Sequence, residues 1–454
     1  RSLVESHGGM IAARSDGAGK GSTFTVRLPR VDGALAGVPW LGMPLTALNE
    51  LDRVLVVGSF LRKDHPLMAQ RLRQAVKRGA QVSFIDSAAD NPLFNAIAGR
   101  MTVAPSQLAN SLAQVLVAVA KAKDSAVPAG LEGVQVSAEA QQIADSLASG
   151  ERVAILLGNM AVNSDQASVI AANANAIAQA SGAKLGFLTA GGNTVGGYLA
   201  NAVPGKGGLT AEQMLAQTLR AYLVLNVEPA LDSDLGERAV ETLKSATFSV
   251  ALTSYRSAAE QWADVMLPVS PFTETSGTFV NAEGRVQSFK GAAAPVGDTR
   301  PAWKVLRVLG NLFQLDGFDD ETSESVRDSV MAAGVESRLS NQINLAASVL
   351  PAASGLERVA DVPIYRSDAL VRRSAPLQET PASAAPTARM AAATLAQLGL
   401  ADGDLVKVRS SQGEVSLPAQ LDDTVALNSV RVATAFSETA ALGSAFGQLT
   451  VERA

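Results

Sequence analysis

The polar groups best suited to binding a ligand are concentrated in residues 272–287. Hydroxyls, carboxylates, an amide, a guanidinium and two glycines lie close together there. The stretch follows residues 264–268, a short apolar run closed by a proline, which predicts a buried strand that ends at a loop. A polar loop at the end of a strand is suited to lining a pocket. Composition alone favours equally a polar surface loop with a tight turn at Gly284.

Repeated strands and helices would position this loop. Residues 53–58 form a continuous apolar run, typical of a strand buried on both faces of a parallel sheet. A helix over 67–77, ended by Gly79, and a strand over 81–86 complete a right-handed crossover. Gly58 is followed by Ser59 rather than by a further glycine pattern, so no dinucleotide fingerprint is present.

A second series of elements predicts a crevice. Strands are predicted at 152–158, 184–188, 221–226 and 248–252, with helices at 166–180 and 234–245. Loops 191–197, 226–229 and 274–285 follow the carboxyl ends of such strands. Because these ends meet at one edge of a parallel sheet, we expect the three loops to converge on one crevice.

The C-terminal region predicts a separate β domain. Residues 316–328 are acidic and predict a surface helix, and residues 366–389 predict an irregular connector. Alternating apolar residues then predict three strands at 400–409, 413–419 and 429–433.

Composition limits the possible functions. The chain has 454 residues and a formal net charge of −5, which argues against nucleic acid as a partner. No apolar run approaches the ~18 residues of a membrane span, and no signal peptide is visible, so we expect a cytosolic or peripheral protein without membrane insertion.

Cysteine is absent, which excludes disulfides and thiolate-bound iron–sulfur clusters on this chain. The two histidines, His7 and His65, lack metal-ligand spacing, and His65 is interpreted as a satisfied loop residue.

Two glycine-lysine pairs imitate a phosphate-binding loop. That motif needs a glycine with four residues between it and Gly-Lys, and Ser or Thr directly after. Around Lys20 these positions are Arg14 and Gly21, and around Lys206 they are Ala200 and Gly207. Neither segment is therefore predicted to bind nucleotide.

The order of residues in the polar loop adds a resemblance. Residues 271–289 closely resemble the pterin loop of the molybdopterin oxidoreductase superfamily, most of all the version in the large iron–sulfur subunit of bacterial NADH:quinone oxidoreductase (complex I). Further segments agree in the same order, at 54–66, 190–196, 204–208 and 226–229. The resemblance implies an α/β fold of Rossmann-like parallel-sheet units followed by a small, double-psi-like β-barrel. It implies an α/β domain at 51–345, a connector at 346–394 and the barrel at 395–454.

The resemblance also implies a cofactor site. In cofactor-loaded relatives the crevice holds a pterin dinucleotide. The residues at positions lining it are Gly192, Asn193, Glu228, Glu274, Thr275, Gly277, Thr278, Asn281 and Arg285. The complex I version is regarded as lacking molybdenum, and the half-domain that carries the metal-ligating side chain in relatives is not in this sequence. We therefore expect a vacant molybdopterin site, no metal, a loop held by internal hydrogen bonds, and a salt-bridging structural role for Arg285.

The function implied is a peripheral-arm subunit of NADH:quinone oxidoreductase, represented by its cluster-free structural half. Iron–sulfur clusters would lie in the upstream half of the full subunit, and this chain would carry no redox centre or catalytic residue. Its partners would be other peripheral-arm subunits, on the cytoplasmic face of the inner membrane. The alternative is a fragment of a formate-dehydrogenase-like molybdopterin enzyme, against which the missing metal ligand and cysteines weigh.

Residues 1–30 differ in pattern from the rest. Alternation at Phe24, Val26 and Leu28 predicts a strand preceded by a glycine-rich hairpin turn. The segment resembles the C-terminal end of a sensor histidine kinase ATP-binding domain, which gives a third hypothesis, an ATP-binding kinase fragment, resting on these residues alone. We expect a foreign terminal hairpin joined through a linker at 31–50.

Overall fold

The computed structural model describes residues 35–204, 208–351 and 353–454, and the backbone of residues 10–14 and 23–27. Met10–Arg14 (β1) pairs antiparallel with Thr23–Arg27 (β2). The predicted turn at 15–22 lies outside the described residues, as do 1–9 and 28–34. The chain divides into two compact units. The first comprises Arg1–Ala190, Arg338–Glu357 and Thr424–Ser429, and the second comprises Gly191–Ser337, Arg358–Asp423 and Val430–Ala454.

The first unit contains a five-stranded parallel sheet. Its strands are Arg53–Val57 (β3), Gln81–Asp86 (β4), Gly99–Thr102 (β5), Val153–Leu157 (β6) and Lys184–Phe187 (β7). They are arranged in the order β5-β4-β3-β6-β7. The central strand β3 therefore has β4 and β5 on one side and β6 and β7 on the other. All of β6 is buried, as are Val54 to Val57 of β3. The predicted doubly covered parallel strands are therefore confirmed.

Helices of the first unit cover this sheet. They are Leu61–Asp64 (α1), Pro66–Lys77 (α2), Leu108–Ala122 (α3), Ala138–Ala148 (α4), Asn159–Asn163 (α5) and Ala167–Ser181 (α6). Pro66 is at the first position of α2, where its missing N–H costs nothing, and Gly79 follows the helix with a φ of +99°. The predicted helices at 67–77 and 166–180 thus correspond to α2 and α6.

The segment predicted as a linker, 31–50, is packed against this unit over its described part. Leu41, Met43 and Leu48 are buried, and Leu35 forms an antiparallel bridge with Ile343. Its apolar residues contribute to the core of the first unit.

The second unit begins with a smaller parallel sheet. Its strands are Ala221–Leu225 (β8), Phe248–Thr253 (β9) and Val265–Pro268 (β10), in the order β10-β9-β8. One face packs on a cluster formed by Tyr222, Leu243, Ala251, Ala259 and Trp262. The predicted strand at 264–268 is present, but its predicted burial is wrong. Strand β10 is at the edge of the sheet, and its side chains are only partly covered.

Among the described residues, an antiparallel hairpin and six α-helices complete the α/β part of this unit. Gly277–Val280 (β11) pairs with Val286–Phe289 (β12). The helices are Thr194–Leu199 (α7), Ala211–Leu215 (α8), Pro229–Asp232 (α9), Glu237–Ser245 (α10), Ala302–Leu312 (α11) and Ser323–Met331 (α12). The acidic helix predicted at 316–328 is only α12, because Thr322 caps its first turn, its hydroxyl accepting from Ser325 N at 3.0 Å, and residues 316–321 precede the cap.

A closed β-barrel lies towards the C-terminus, as the fold prediction stated. Its strands are Leu356–Val359 (β13), Ala388–Met390 (β14), Leu405–Arg409 (β15), Glu414–Leu421 (β16), Ser429–Arg431 (β17) and Gln448–Arg453 (β18). They follow the order β13-β17-β14-β16-β15-β18, and two of them lie within residues 346–394. Short helices are Ala369–Arg372 (α13), Ala375–Gln378 (α14) and Ala392–Gln397 (α15).

A buried arginine fastens loops of this region. The Arg358 guanidinium donates to the carbonyl oxygens of Gly443 and Ser444 at 2.9 and 2.7 Å and to Val432 O at 3.3 Å. Burial lowers the pKa of Arg358 to about 10, so it remains charged at neutral pH.

Among the described residues, no helix is long and apolar enough to cross a membrane.

Candidate functional site

The predicted crevice brings the 191–197 loop and the polar hairpin together. Asn193, directly before α7, accepts a hydrogen bond at Oδ1 from Val280 N of β11 at 2.8 Å. The same oxygen would lie 2.0 Å from a Cβ at position 196, so a side chain there would displace the Asn193 amide from this contact. Gly192 lies near the same hairpin, since a Cβ built on it would be 3.9 Å from the Phe279 ring. The amide of Asn193 therefore ties two of the three predicted loops to each other.

The tip of the hairpin is a turn built by Asn281. Its Oδ1 accepts from Glu283 N at 3.1 Å and from Arg285 N at 3.0 Å, and its backbone N–H donates to Arg285 O. Gly284 has a φ of +82°, which confirms the predicted tight turn. Arg285 pairs with Glu283, Nε to Oε1, at 3.3 Å, while 67% of its side chain is exposed. Arg285 thus makes the salt bridge that was expected of it.

The remaining polar residues of the loop also bond within the protein. Glu274 Oε2 accepts from Val296 N at 3.1 Å, and the Thr275 hydroxyl donates to Pro271 O at 3.1 Å. The Thr278 hydroxyl is 2.9 Å from the hydroxyl of Ser288 on the paired strand. Gly277 is required by close packing, because a Cβ there would lie 2.8 Å from the ring of Phe289.

Glu228 belongs to a different set of contacts, a partly buried ion cluster in which Glu228 itself is buried. Its Oε2 is 2.8 Å from Arg372 Nε, and its Oε1 is 2.6 Å from Arg373 Nη2. Arg372 also pairs with Asp232 at 2.9 Å, and the Arg373 guanidinium stacks 4.2 Å from the centroid of the Tyr255 ring. Two carboxylates and two guanidiniums balance in charge. Glu228 is therefore neutralised from within the chain.

Sequence reasoning missed the two arginines of this cluster. They lie in a stretch interpreted as an irregular connector, well over a hundred positions from Glu228. A possible signal was the Asp368 cap: its Oδ1 accepts from Leu370 N and Val371 N and starts the short helix α13 that presents Arg372.

These contacts determine how well the residues fit a pterin dinucleotide. Such a ligand needs several free donors and acceptors converging on one cavity. Here both oxygens of Glu228 face arginines, Asn193 and Asn281 bond to backbone N–H groups, and Thr278 pairs across its hairpin. The predicted polar side chains are thus hydrogen-bonded or ion-paired within the protein. In this arrangement they do not fit a pterin dinucleotide.

The first unit has polar residues at the carboxyl ends of its central strands. Asp86, the last residue of β4, is buried, and desolvation raises its pKa to about 7 against the opposing effects of Arg100 (3.5 Å) and Thr102 (3.3 Å). With Ser59 and Arg62, Asp86 and Arg100 line a cavity of about 10 Å³, room for a single water. Among the described residues, no group of three or more His, Cys, Asp or Glu side chains is arranged to bind a metal.

His65 lies in the same unit and is only partly satisfied. Its Nε2 is 3.2 Å from Thr189 O, while Nδ1 is buried with no hydrogen-bond partner in the described structure. Burial lowers the pKa of His65 and favours the neutral ring. The loop-histidine interpretation therefore holds for one of its two nitrogens.

Comparison with protein families decides the assignment. The family model described as molybdopterin oxidoreductase matches residues 3–312. The chain belongs to the molybdopterin oxidoreductase family. A second model, the molydopterin dinucleotide binding domain, matches residues 368–454, which include most of the barrel. The first match begins at residue 3, and the resemblance of residues 1–30 to a histidine kinase is not supported.

Individual relatives agree with this family. A subunit of NADH-quinone oxidoreductase from Mycobacterium bovis is 30% identical over 233 residues, 49% of this chain and 28% of the relative. The subunit of the same name from Streptomyces coelicolor is 31% identical over 210 residues, 45% of this chain and 25% of the relative. A Bacillus subtilis protein provisionally named a formate dehydrogenase is 33% identical over 113 residues, 24% of this chain and 12% of the relative. The matches to the two NADH-quinone oxidoreductase proteins span about a quarter of the relatives' length.

A solved structure confirms the fold of the family. Acetylene hydratase from Pelobacter acetylenicus aligns with a TM-score of 0.60 and 11% identity, over 90% of this chain and 80% of that chain. At this identity the likeness concerns the fold. Family membership supports an oxidoreductase role.

Proposed function

We propose that this chain is a structural part of the peripheral arm of NADH:quinone oxidoreductase and carries no redox centre or catalytic residue of its own. The names of the Mycobacterium bovis and Streptomyces coelicolor relatives support the complex. The chain has no cysteine, so electrons would pass through clusters bound elsewhere in the complex. In this proposal it works on the cytoplasmic face of the inner membrane, beside other peripheral-arm subunits.

The observation that carries the proposal is the internal use of the predicted pterin ligands. Glu228 is paired with Arg372 and Arg373, and Asn193 bonds to β11. Opening these contacts for a cofactor would take the carboxylate partner from Arg373 and leave Arg372 paired with Asp232 alone, which costs about 1–3 kcal/mol. We propose that the nine residues are a vestigial site whose groups now stabilise the α/β domain at 51–345. Residues 346–394 contribute strands β13 and β14 to the barrel, whose other strands lie at 395–454.

A second candidate function is a formate-dehydrogenase-like molybdopterin enzyme, favoured by the Bacillus subtilis relative. The two functions predict different cofactor contents. For the structural role, the purified chain contains neither molybdenum nor tungsten nor extractable pterin, and it retains no stoichiometric iron after cluster reconstitution. About one molybdenum per chain would replace the structural role by the enzyme.

Association provides an independent test. A tagged chain, expressed in its own cells, should co-purify with NADH:quinone reductase activity, and deletion of its gene should remove that activity from membranes. Recovery of the tagged chain with formate-oxidising activity instead would overturn the assignment to the peripheral arm.

A further inference from the structure

One face of the three-stranded sheet β8–β10 is apolar and partly exposed. Tyr222 and Ala251 point to the core cluster, whereas the alternate residues Leu223, Phe248 and Val265 point to the opposite face. Leu223 is 52% exposed. Parallel sheets ordinarily have helices over both faces. The described part of this unit therefore leaves part of this face uncovered, although Leu252 of the middle strand is buried.

The exposed face continues into a groove beside helix α11. This groove has a volume of about 610 Å³, and its apolar lining is Leu267, Trp303, Val305, Val308 and Leu309. Leu267 stands in register with Leu252, which is buried, and with Leu225, which is 37% exposed, so the groove borders the partly exposed face of the sheet. Val308 is 50% exposed, and Leu312, Phe313 and Leu315 extend the apolar surface beyond it. A continuous surface of this kind marks an interaction site.

The charges around the α11 groove are unequal. Arg300, Lys304 and Arg307 line it, and Glu321 is the single carboxylate among its lining residues, 4.0 Å from Arg307. Within the described structure, Trp303 Nε1 and Arg307 Nε are buried and have no hydrogen-bond acceptor. Buried donors ordinarily have an acceptor. The groove therefore offers an apolar floor and a cationic rim, and two buried donors beside it have no acceptor in the described structure.

We propose that the α11 groove binds an amphipathic helix of a partner protein, with apolar residues on its floor and carboxylates facing the Arg300, Lys304 and Arg307 rim. A helix is the element that ordinarily covers a parallel sheet, and residues at i, i+3, i+4 and i+7 would match the apolar floor. A second copy of this chain would oppose two cationic rims, which disfavours self-association through this surface. The assignment does not depend on which oxidoreductase the chain serves.

Site-specific crosslinking in the native complex tests the occupant. A photoreactive residue replaces Val308 in the tagged full-length chain, and the matched control replaces Leu67, an exposed apolar residue of helix α2. The expected result is a crosslink from position 308, absent from position 67, to a helix with the stated apolar spacing and an excess of Asp and Glu. Crosslinks to this chain itself, to a basic segment, or none specific to position 308 would overturn the proposal.

Substitutions test the energetics of the same contact. Val308→Glu should reduce partner recovery at least tenfold, and Lys304→Glu should make the complex dissociate at lower salt, because it removes a cation facing the partner. Leu67→Glu should change neither. Thermal unfolding of each variant shows whether the chain remains folded, and Leu312→Glu replaces Val308→Glu if the latter unfolds. Unchanged association in a folded Val308→Glu or Leu312→Glu variant would refute the proposal.

Discussion

The two parallel sheets of this chain both contain apolar strands, but those strands have different surroundings. In the five-stranded sheet, Val54 to Val57 and the whole of β6 are buried. In the three-stranded sheet, buried and exposed positions alternate along β8, although the exposed positions include Leu223 and Leu225. An apolar run therefore predicts a strand of a parallel sheet, but not whether both faces are covered by this chain itself. The difference between the sheets identifies where the second unit offers a surface to another protein.

The strongest test of this comparison uses one phenylalanine in each sheet. Phe84 of β4 is 2% exposed and Phe248 of β9 is 46% exposed. Phe84→Ala should cost about 3–5 kcal/mol of unfolding free energy because it leaves a cavity. Phe248→Ala should cost about 1 kcal/mol because only about half of the Phe248 side chain is buried in the folded chain. Urea denaturation of both variants measures the two losses, and equal losses would show that the second sheet is covered after all.

Glu228 is a buried charged residue in the second unit, whose sheet is less covered, and it provides the next test. Glu228→Leu leaves Arg373 without a carboxylate and Arg372 with Asp232 alone, and should cost about 1–3 kcal/mol. Replacing the acceptor together with Arg372, as Glu228→Leu with Arg372→Met, should recover part of that loss, since fewer buried charges are then unpaired. Thermal denaturation compares single and double variants. A single variant as stable as the parent would mean that the ion cluster is solvated, and that Glu228 is available to a ligand.

Asp86 gives the five-stranded sheet a pH dependence. Burial raises its pKa in the folded chain to about 7, above the value near 4 of an unfolded aspartate. Between about pH 4 and about pH 7 the folded chain therefore keeps a proton on Asp86 that the unfolded chain has lost. The contribution of Asp86 to the free energy of unfolding decreases as the pH rises through this interval. The slope is at most about 1.4 kcal/mol per pH unit.

The matched variant for this prediction is Asp86→Asn, which does not titrate. Its stability relative to the parent should increase across the same pH interval, measured by urea denaturation at several pH values. Parallel pH profiles for the two proteins would show that Asp86 titrates in its ordinary range.

Sequence reasoning predicted elements better than contacts. The runs at 53–58 and 81–86 were identified correctly because their apolar patterns are local. Of the site, it anticipated the turn at Gly284 and the approach of the 191–197 loop to the hairpin. It could not find Arg372 and Arg373, since their pairing with Glu228 depends on how a distant segment folds back. The burial of β10 was mispredicted for a related reason. Apolar side chains favour burial, but whether they are buried depends on which elements pack against the strand, and β10 lies at the edge of its sheet.

The smallest expected effect concerns Arg285, on the hairpin of the second unit. Its side chain is two-thirds exposed, and its ion pair with Glu283 is 3.3 Å long. Exposed pairs of this kind contribute little, so Arg285→Ala should change the unfolding free energy by less than about 1 kcal/mol. Asn281 supplies the contrast on the same turn, because its Oδ1 bonds to the N–H groups of Glu283 and Arg285, and Asn281→Ala should cost about 1–3 kcal/mol. If instead Arg285→Ala removed a bound pterin from the purified chain, the residue would be a phosphate contact, and the polar hairpin would belong to a working cofactor site.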